Sequence, residues 1–234
     1  MCHHVQTAPP SPCAKALRPP HPYSGTNHPR PCRGYRVGYR LKPVRHHNAL
    51  IRHVQPLTQD YYAKGGFAFS HRNLRFRAEI TERPATSQVN DLDIVPLATF
   101  PFDQVVDYDR TCFPAARASF LGGWITQADA LAVGCRREGR LSGYGVIRRC
   151  REGYKIGPLF ADDALAANAL YARLAEFAQG GPLFLDAPEN NPAAMALVRQ
   201  QGMTEVFGCA RMYLGPPPAI AHERVFGVTT FELG

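Results

Sequence analysis

No aspartate or glutamate occurs in the first 57 of the 234 residues, although nine lysines and arginines do. The first acid is Asp60, and from Thr58 onward eighteen basic side chains stand against nineteen acidic ones. The formal charge of +8 therefore belongs to the N-terminal segment. The near-neutral remainder offers no electrostatic footprint for nucleic acid, and no nucleic-acid partner is expected. The seven cysteines, at 2, 13, 32, 112, 135, 150 and 209, include no Cys-x-x-Cys pair. That excludes the usual zinc spacings and a disulfide framework, so no metal is expected. Cys2-His3-His4 and His46-His47 read as stray ligands. No apolar run reaches the ~18 residues that a membrane span needs, and no signal-peptide core precedes a small-residue cleavage site. Together these absences point to a cytoplasmic protein that makes no use of a membrane. The single tryptophan, Trp124, reads as a core residue.

The acid-free segment is unusual in other respects. It holds seven of the nine histidines and ten of the twenty-one prolines. No window in 1–48 keeps a helical or strand period. Three readings fit. The segment is a basic disordered arm, a targeting peptide, or a stretch outside the native coding frame. Pro-Pro at 9–10 and 19–20 breaks the amphipathic helix that the targeting reading needs. In all three, residues 1–57 lack a packed core.

Periodicity begins near Thr58. Tyr61 to Phe67 reads as a helix end closed by glycine, and Ala68 to Arg77 as a strand. Residues 81–91 are polar and read as a linker. From Leu92 the pattern is regular: a short strand at 94–97, two helical pieces divided by Pro114, and a hairpin around Arg136–Arg140. A strand at Tyr154–Phe160 and a helix from Ala164 follow, then an apolar run at Pro182–Ala187. Asn191-Pro192-Ala193-Ala194 next supplies an N-cap and a proline at the first helical position, and Gly202 can close that helix. Thr204–Tyr213 and Val225–Leu233 read as the last two strands.

The string β–α–α–β–β–β–α–β–α–β–β, with Asn191-Pro192-Ala193-Ala194 before Leu197 and Gly202-Met203, resembles the GNAT superfamily of N-acetyltransferases. It is more closely similar to the C-terminal GNAT-like domain of bacterial two-domain acetyltransferases. The segments that carry this resemblance include Gly143–Arg148, Tyr154–Asp162, Ala210–Tyr213 and Phe226–Gly234. The resemblance implies an α+β, α/β/α acyl-CoA N-acyltransferase fold, with a mixed central sheet whose middle strands splay. Residues 92–234 would be that domain. Residues 58–80 echo its last helix and strand, and would be the remnant of an N-terminal GNAT domain.

It further implies transfer of an acetyl group from acetyl-CoA to an amine on a small molecule or a peptide, with a homodimer as one assembly. The alternative is a non-catalytic ligand-binding or dimerising domain. The pantetheine arm would lie along Ile156, Gly157, Pro158, Leu159 and Phe160, with Asn191 nearby. Gly157 permits close approach and Pro158 withholds a ladder donor. Tyr62 stands at the superfamily's general-acid position in the remnant, and Asp186, at the end of a strand, is a candidate base. Two departures matter. Val198 occupies the tyrosine position in the complete domain. Ala161-Asp162-Asp163-Ala164 replaces the glycine-rich pyrophosphate loop, and its two carboxylates would repel phosphates from a helix N-terminus.

Overall fold

The computed structural model describes residues 45–46, 49–54, 58–80, 92–178 and 180–231, with the backbone alone described before Thr58. Among the described residues ten strands form one sheet, ordered β1-β2-β9-β3-β8-β7-β6-β5-β4, and β10 pairs with β7 off this path. The strands are β1 Arg45–His46, β2 Ala49–Val54, β3 Ala68–Glu79, β4 Asp93–Pro96, β5 Ala130–Arg137, β6 Arg140–Arg149, β7 Tyr154–Ala161, β8 Pro182–Pro188, β9 Thr204–Leu214 and β10 Val225–Gly227. The helices are α1 Gln59–Lys64, α2 Phe102–Cys112, α3 Ala118–Ile125, α4 Ala164–Ala175 and α5 Pro192–Gln200. All pairings are antiparallel except β7 with β8.

Local chemistry sets the ends of these elements. Glu138 and Gly139 both have positive φ, 50° and 75°, the conformation of a two-residue hairpin turn between β5 and β6. The Asp163 carboxylate accepts the amide hydrogen of Ala166 and starts α4. The Asn191 side chain accepts from the amides of Ala193 and Ala194, and Pro192 fills the first turn of α5. Gly202, at φ 61°, closes that helix.

Alternation along the strands divides the core into two layers. On one face α4 and α5 cover Ile147, Ile156, Leu183, Leu185 and Leu74. On the other, α2 and α3 bring Val105, Cys112 and Leu121 against Tyr144, Val146 and Phe160. The α+β fold expected from the sequence is the fold observed.

Three boundaries differ from the sequence reading. The packed unit does not begin at Thr58, because Ala49–Val54 is a strand on the edge of β9, from Leu50↔Leu214 to Val54↔Ala210. Its pairing is held by backbone hydrogen bonds, which need no periodic pattern. The remnant at 58–80 is not a body of its own. Its strand β3 lies inside the main sheet, paired to β8 from Asn73↔Pro188 to Glu79↔Pro182 and to β9 along its other side. Phe76 is accordingly buried in the α4/α5 core and Phe67 packs on Ala210 and Met212, whereas Phe69 is exposed. The final strand stops at Gly227. The segments at 1–44 and 81–91 lie outside the described residues.

If β3 is an integral strand, cutting its core side chain must cost global stability. Leu74→Ala is expected to lower unfolding free energy by about 2–5 kcal/mol, as for other buried leucines. Urea denaturation checks this, and a change under 0.5 kcal/mol would return β3 to the status of an appendage.

Candidate functional site: a wedge between two parallel strands

Strands β7 and β8 pair only at Tyr154↔Leu183, Lys155↔Phe184 and Ile156↔Leu185. Beyond Ile156 they diverge, opening the splay that the sequence reading placed there. Buried backbone groups on the two sides of such a split need partners. The chain supplies them itself. Val225 pairs with Phe160 and Gly227 with Leu159, and the Val228 amide donates to the Asp186 carbonyl at 2.8 Å.

Residues Val225–Phe231 are all buried. Their side chains alternate through the split, with Phe226 in the α4/α5 core and Val225 and Val228 in the α2/α3 core. The fit is close. A Cβ built on Gly157 would meet the carbonyl oxygens of Thr229 and Val228 at 2.5 and 2.8 Å, and one on Gly227 would meet Leu185 Cδ1 at 2.6 Å.

Polar contacts fix the segment from two sides. Asn191, besides capping α5, donates from Nδ2 to the carbonyls of Glu223 and Val225 at 3.1 and 3.0 Å. Arg117 donates to Thr229 Oγ1 at 2.9 Å. It is itself held by the buried Asp109 carboxylate at 2.6 and 2.8 Å, and Tyr144 donates to the same carboxylate at 2.5 Å. Burial and the Asp109 charge keep the Tyr144 phenol well above its ordinary pKa, so it stays a donor. Trp124, stacked on Phe120, donates from Nε1 to the Gly157 carbonyl at 2.9 Å. Its indole is therefore committed to a hydrogen bond as well as to packing.

Of the residues expected to bind a cofactor, Gly157, Leu159, Phe160 and Asn191 meet Val225–Phe231 instead. Ile156, Leu159 and Phe160 are at most 1% exposed, and Gly157 and Pro158 are buried. The residues present do not fit a pantetheine arm. Nor does the α4 N-terminus fit a pyrophosphate. Asp163 caps the helix and pairs with Arg137 at 2.7 Å, while Asp162 accepts from Tyr108 at 2.9 Å and lies 3.4 Å from Arg224.

The two catalytic candidates are not brought together. Asp186, fully buried, accepts from Arg75 Nε and Nη2 at 2.7 and 2.9 Å and from Lys155 Nζ. A carboxylate held by two cations is a counter-ion and not a free base. Tyr62 sits on α1 against Phe67, ring centroids 5.5 Å apart, in the Ala210–Met212 cluster. Val198 is a core residue of α5.

Sequence reasoning missed a second feature beside the wedge. His71 and His222, the two histidines outside the N-terminal segment, meet edge to face at 5.5 Å. With Arg211, Tyr213, Cys112 and Val228 they line a cavity of about 20 Å³, room for one water. Burial, then the charge of Arg211, pushes the His71 imidazole down to about 3, and His222 is also lowered. Burial raises the Cys112 thiol to about 12. With the His71 imidazole so far down and the Cys112 thiol so far up, neither is poised to move a proton at neutral pH. The isolation of two histidines was the available signal, but their separation in sequence hid the contact.

The sequence model of the acetyltransferase (GNAT) domain family matches residues 105–227. A holothin acyltransferase from Pseudoalteromonas sp. (strain SANK 73390) is 29% identical over 181 residues, covering 76% of this chain and 60% of that protein. A proposed acetyltransferase from Pyrococcus horikoshii superposes with a TM-score of 0.63 at 24% identity, over 80% of this chain and 60% of its own. A GCN5-related N-acetyltransferase from Sphaerobacter thermophilus gives 0.54 at 13% identity, over 72% and 60%. At these identities the solved structures show a shared fold. The chain spans about three fifths of each of these three proteins.

The His71 environment makes a signed prediction. Its folded-state pKa lies below the unfolded value of 6.5, so the unfolded chain binds the extra proton first. Stability should therefore fall as pH drops from about 6.5 toward 3. Between pH 7 and 5 the loss attributable to His71 is about 2 kcal/mol. His71→Gln should remove that portion of the slope in urea titrations at the two pH values. An unchanged slope would contradict the buried neutral imidazole.

Proposed function

Because the chain belongs to the GNAT acetyltransferase family, we propose that it serves the transfer of an acetyl group from acetyl-CoA to an amine carried by a small molecule or a peptide. In that reaction the amine nitrogen bonds to the acetyl carbon as the carbon–sulfur bond of the thioester breaks, the amine gives up a proton to a base, and coenzyme A leaves as the thiol. The family match over residues 105–227 supports this reading. The relative named as a holothin acyltransferase supports acyl transfer as the reaction class.

One observation favours a second reading of this domain's own share: Val225–Phe231 lies in the wedge and pairs with both of its walls. In this reading residues 92–231 are a sealed, non-catalytic GNAT half. Its sheet is completed by β3 from upstream, and the donor thioester is held elsewhere in the assembly. Proton transfer is assigned neither to Asp186, which is neutralised by Arg75 and Lys155, nor to Tyr62, which packs on Phe67.

Calorimetric titration of the full chain with acetyl-CoA separates the two readings. The sealed reading expects no saturable heat up to millimolar ligand, both for the natural sequence and for Asp162→Gly/Asp163→Gly, because the wedge is filled in each. A Kd below about 10 µM, or about −7 kcal/mol, for the natural chain would restore the catalytic reading to this domain. Tight binding by the double variant alone would place the barrier at the carboxylates.

A further inference from the structure

At the end of β7 remote from α4, the loop leaving β6 and the starts of β7 and β8 enclose a cavity of about 350 Å³. That size falls in the ~300–1,000 Å³ range of small-molecule sites. Among the described residues, four cations line it, Arg75, Arg148, Arg151 and Lys155, against one acid, Glu152. Behind the wall, Asp186 neutralises part of this charge through Lys155 and Arg75. Glu152 is turned outward, its side chain 73% exposed and 4.0 Å from Arg77. Among the described residues four cations thus face two acids, and one cation, Lys155, is only 5% exposed.

Three of the four cations are held before any ligand arrives. Asp186 orients Lys155 and Arg75. Arg148 donates to Cys150 Sγ at 3.3 Å and lies 5.2 Å over the Trp124 ring. Donors already ordered lose little entropy on binding. The remaining wall is mixed, with the Phe184 ring on one side and Thr230, from the segment that fills the wedge, on the other. A solvated arginine cluster would present neither a buried lysine nor an aromatic wall. The eight residues of β7, at about 3.3 Å each, separate this cavity from the α4 N-terminus, where a cofactor's phosphates would bind.

We infer that this cavity binds a small organic anion, a carboxylate or phosphate on a short apolar body that rests against Phe184, between Lys155, Arg148 and Arg151. The test is thermal shift of the full chain with succinate and with inorganic phosphate, at fixed ionic strength. A saturable rise in Tm with at least one probe is expected, and the difference between the two arms identifies carboxylate or phosphate as the preferred group. Arg148→Ala/Arg151→Ala should keep the unliganded melting profile and bind at least tenfold more weakly. No saturable rise with either probe would overturn the inference, as would equal affinity in the double variant.

Discussion

The divergence of β7 from β8 is the constraint around which this molecule is organised. Two parallel strands that separate inside a core expose backbone donors and acceptors with no solvent to satisfy them. Here Val225–Phe231 resolves the conflict, pairing with Leu159 and Phe160 on one side and with the Asp186 carbonyl on the other. The contacts of α2, α3 and α5 follow from that seat. Arg117 at the start of α3 reaches Thr229, and Asn191 at the start of α5 holds the carbonyls of Glu223 and Val225. Asp109 on α2 keeps Arg117 in position. Removing one partner of such a buried network strands the others, which makes the arrangement cooperative.

The second organising feature is β3. It enters the sheet between β8 and β9 from a stretch that precedes the family-matched region by more than twenty residues. Its Arg75 supplies one of the two cations on Asp186, so the upstream strand also completes the charge balance beneath the wedge. Phe231 lies over the same group, with the Arg75 guanidinium 4.7 Å from its ring. The upstream strand, the two central strands and the C-terminal segment therefore meet at one ion triad centred on the buried Asp186. That convergence explains why a carboxylate that resembled a catalytic base in the sequence is a structural counter-ion in the fold.

Much of the architecture was legible because it is locally encoded. Asn191-Pro192, the Glu138-Gly139 turn and the Asp163 cap act within a few residues of themselves, and each appears where its chemistry predicts. Long-range features were not. The strand at Ala49–Val54 pairs through its backbone and left no periodic trace. The alternation of Phe226, Val228 and Thr230 read as a full strand, yet only Val225–Gly227 forms a ladder, because the chain crosses from one wall of the wedge to the other. Gly157 was marked as a place where a ligand could approach closely. The group that approaches is the carbonyl of Thr229, a contact set by tertiary folding that no local pattern records.

Amide hydrogen exchange across Val225–Phe231, with and without saturating acetyl-CoA, tests the seated segment most directly. The Val228 amide, bonded to the Asp186 carbonyl, should exchange only by global unfolding, and its protection should not change when acetyl-CoA is added. Rapid exchange of these amides in the free protein, or loss of their protection on adding acetyl-CoA, would show a wedge that opens for the cofactor and would contradict the account.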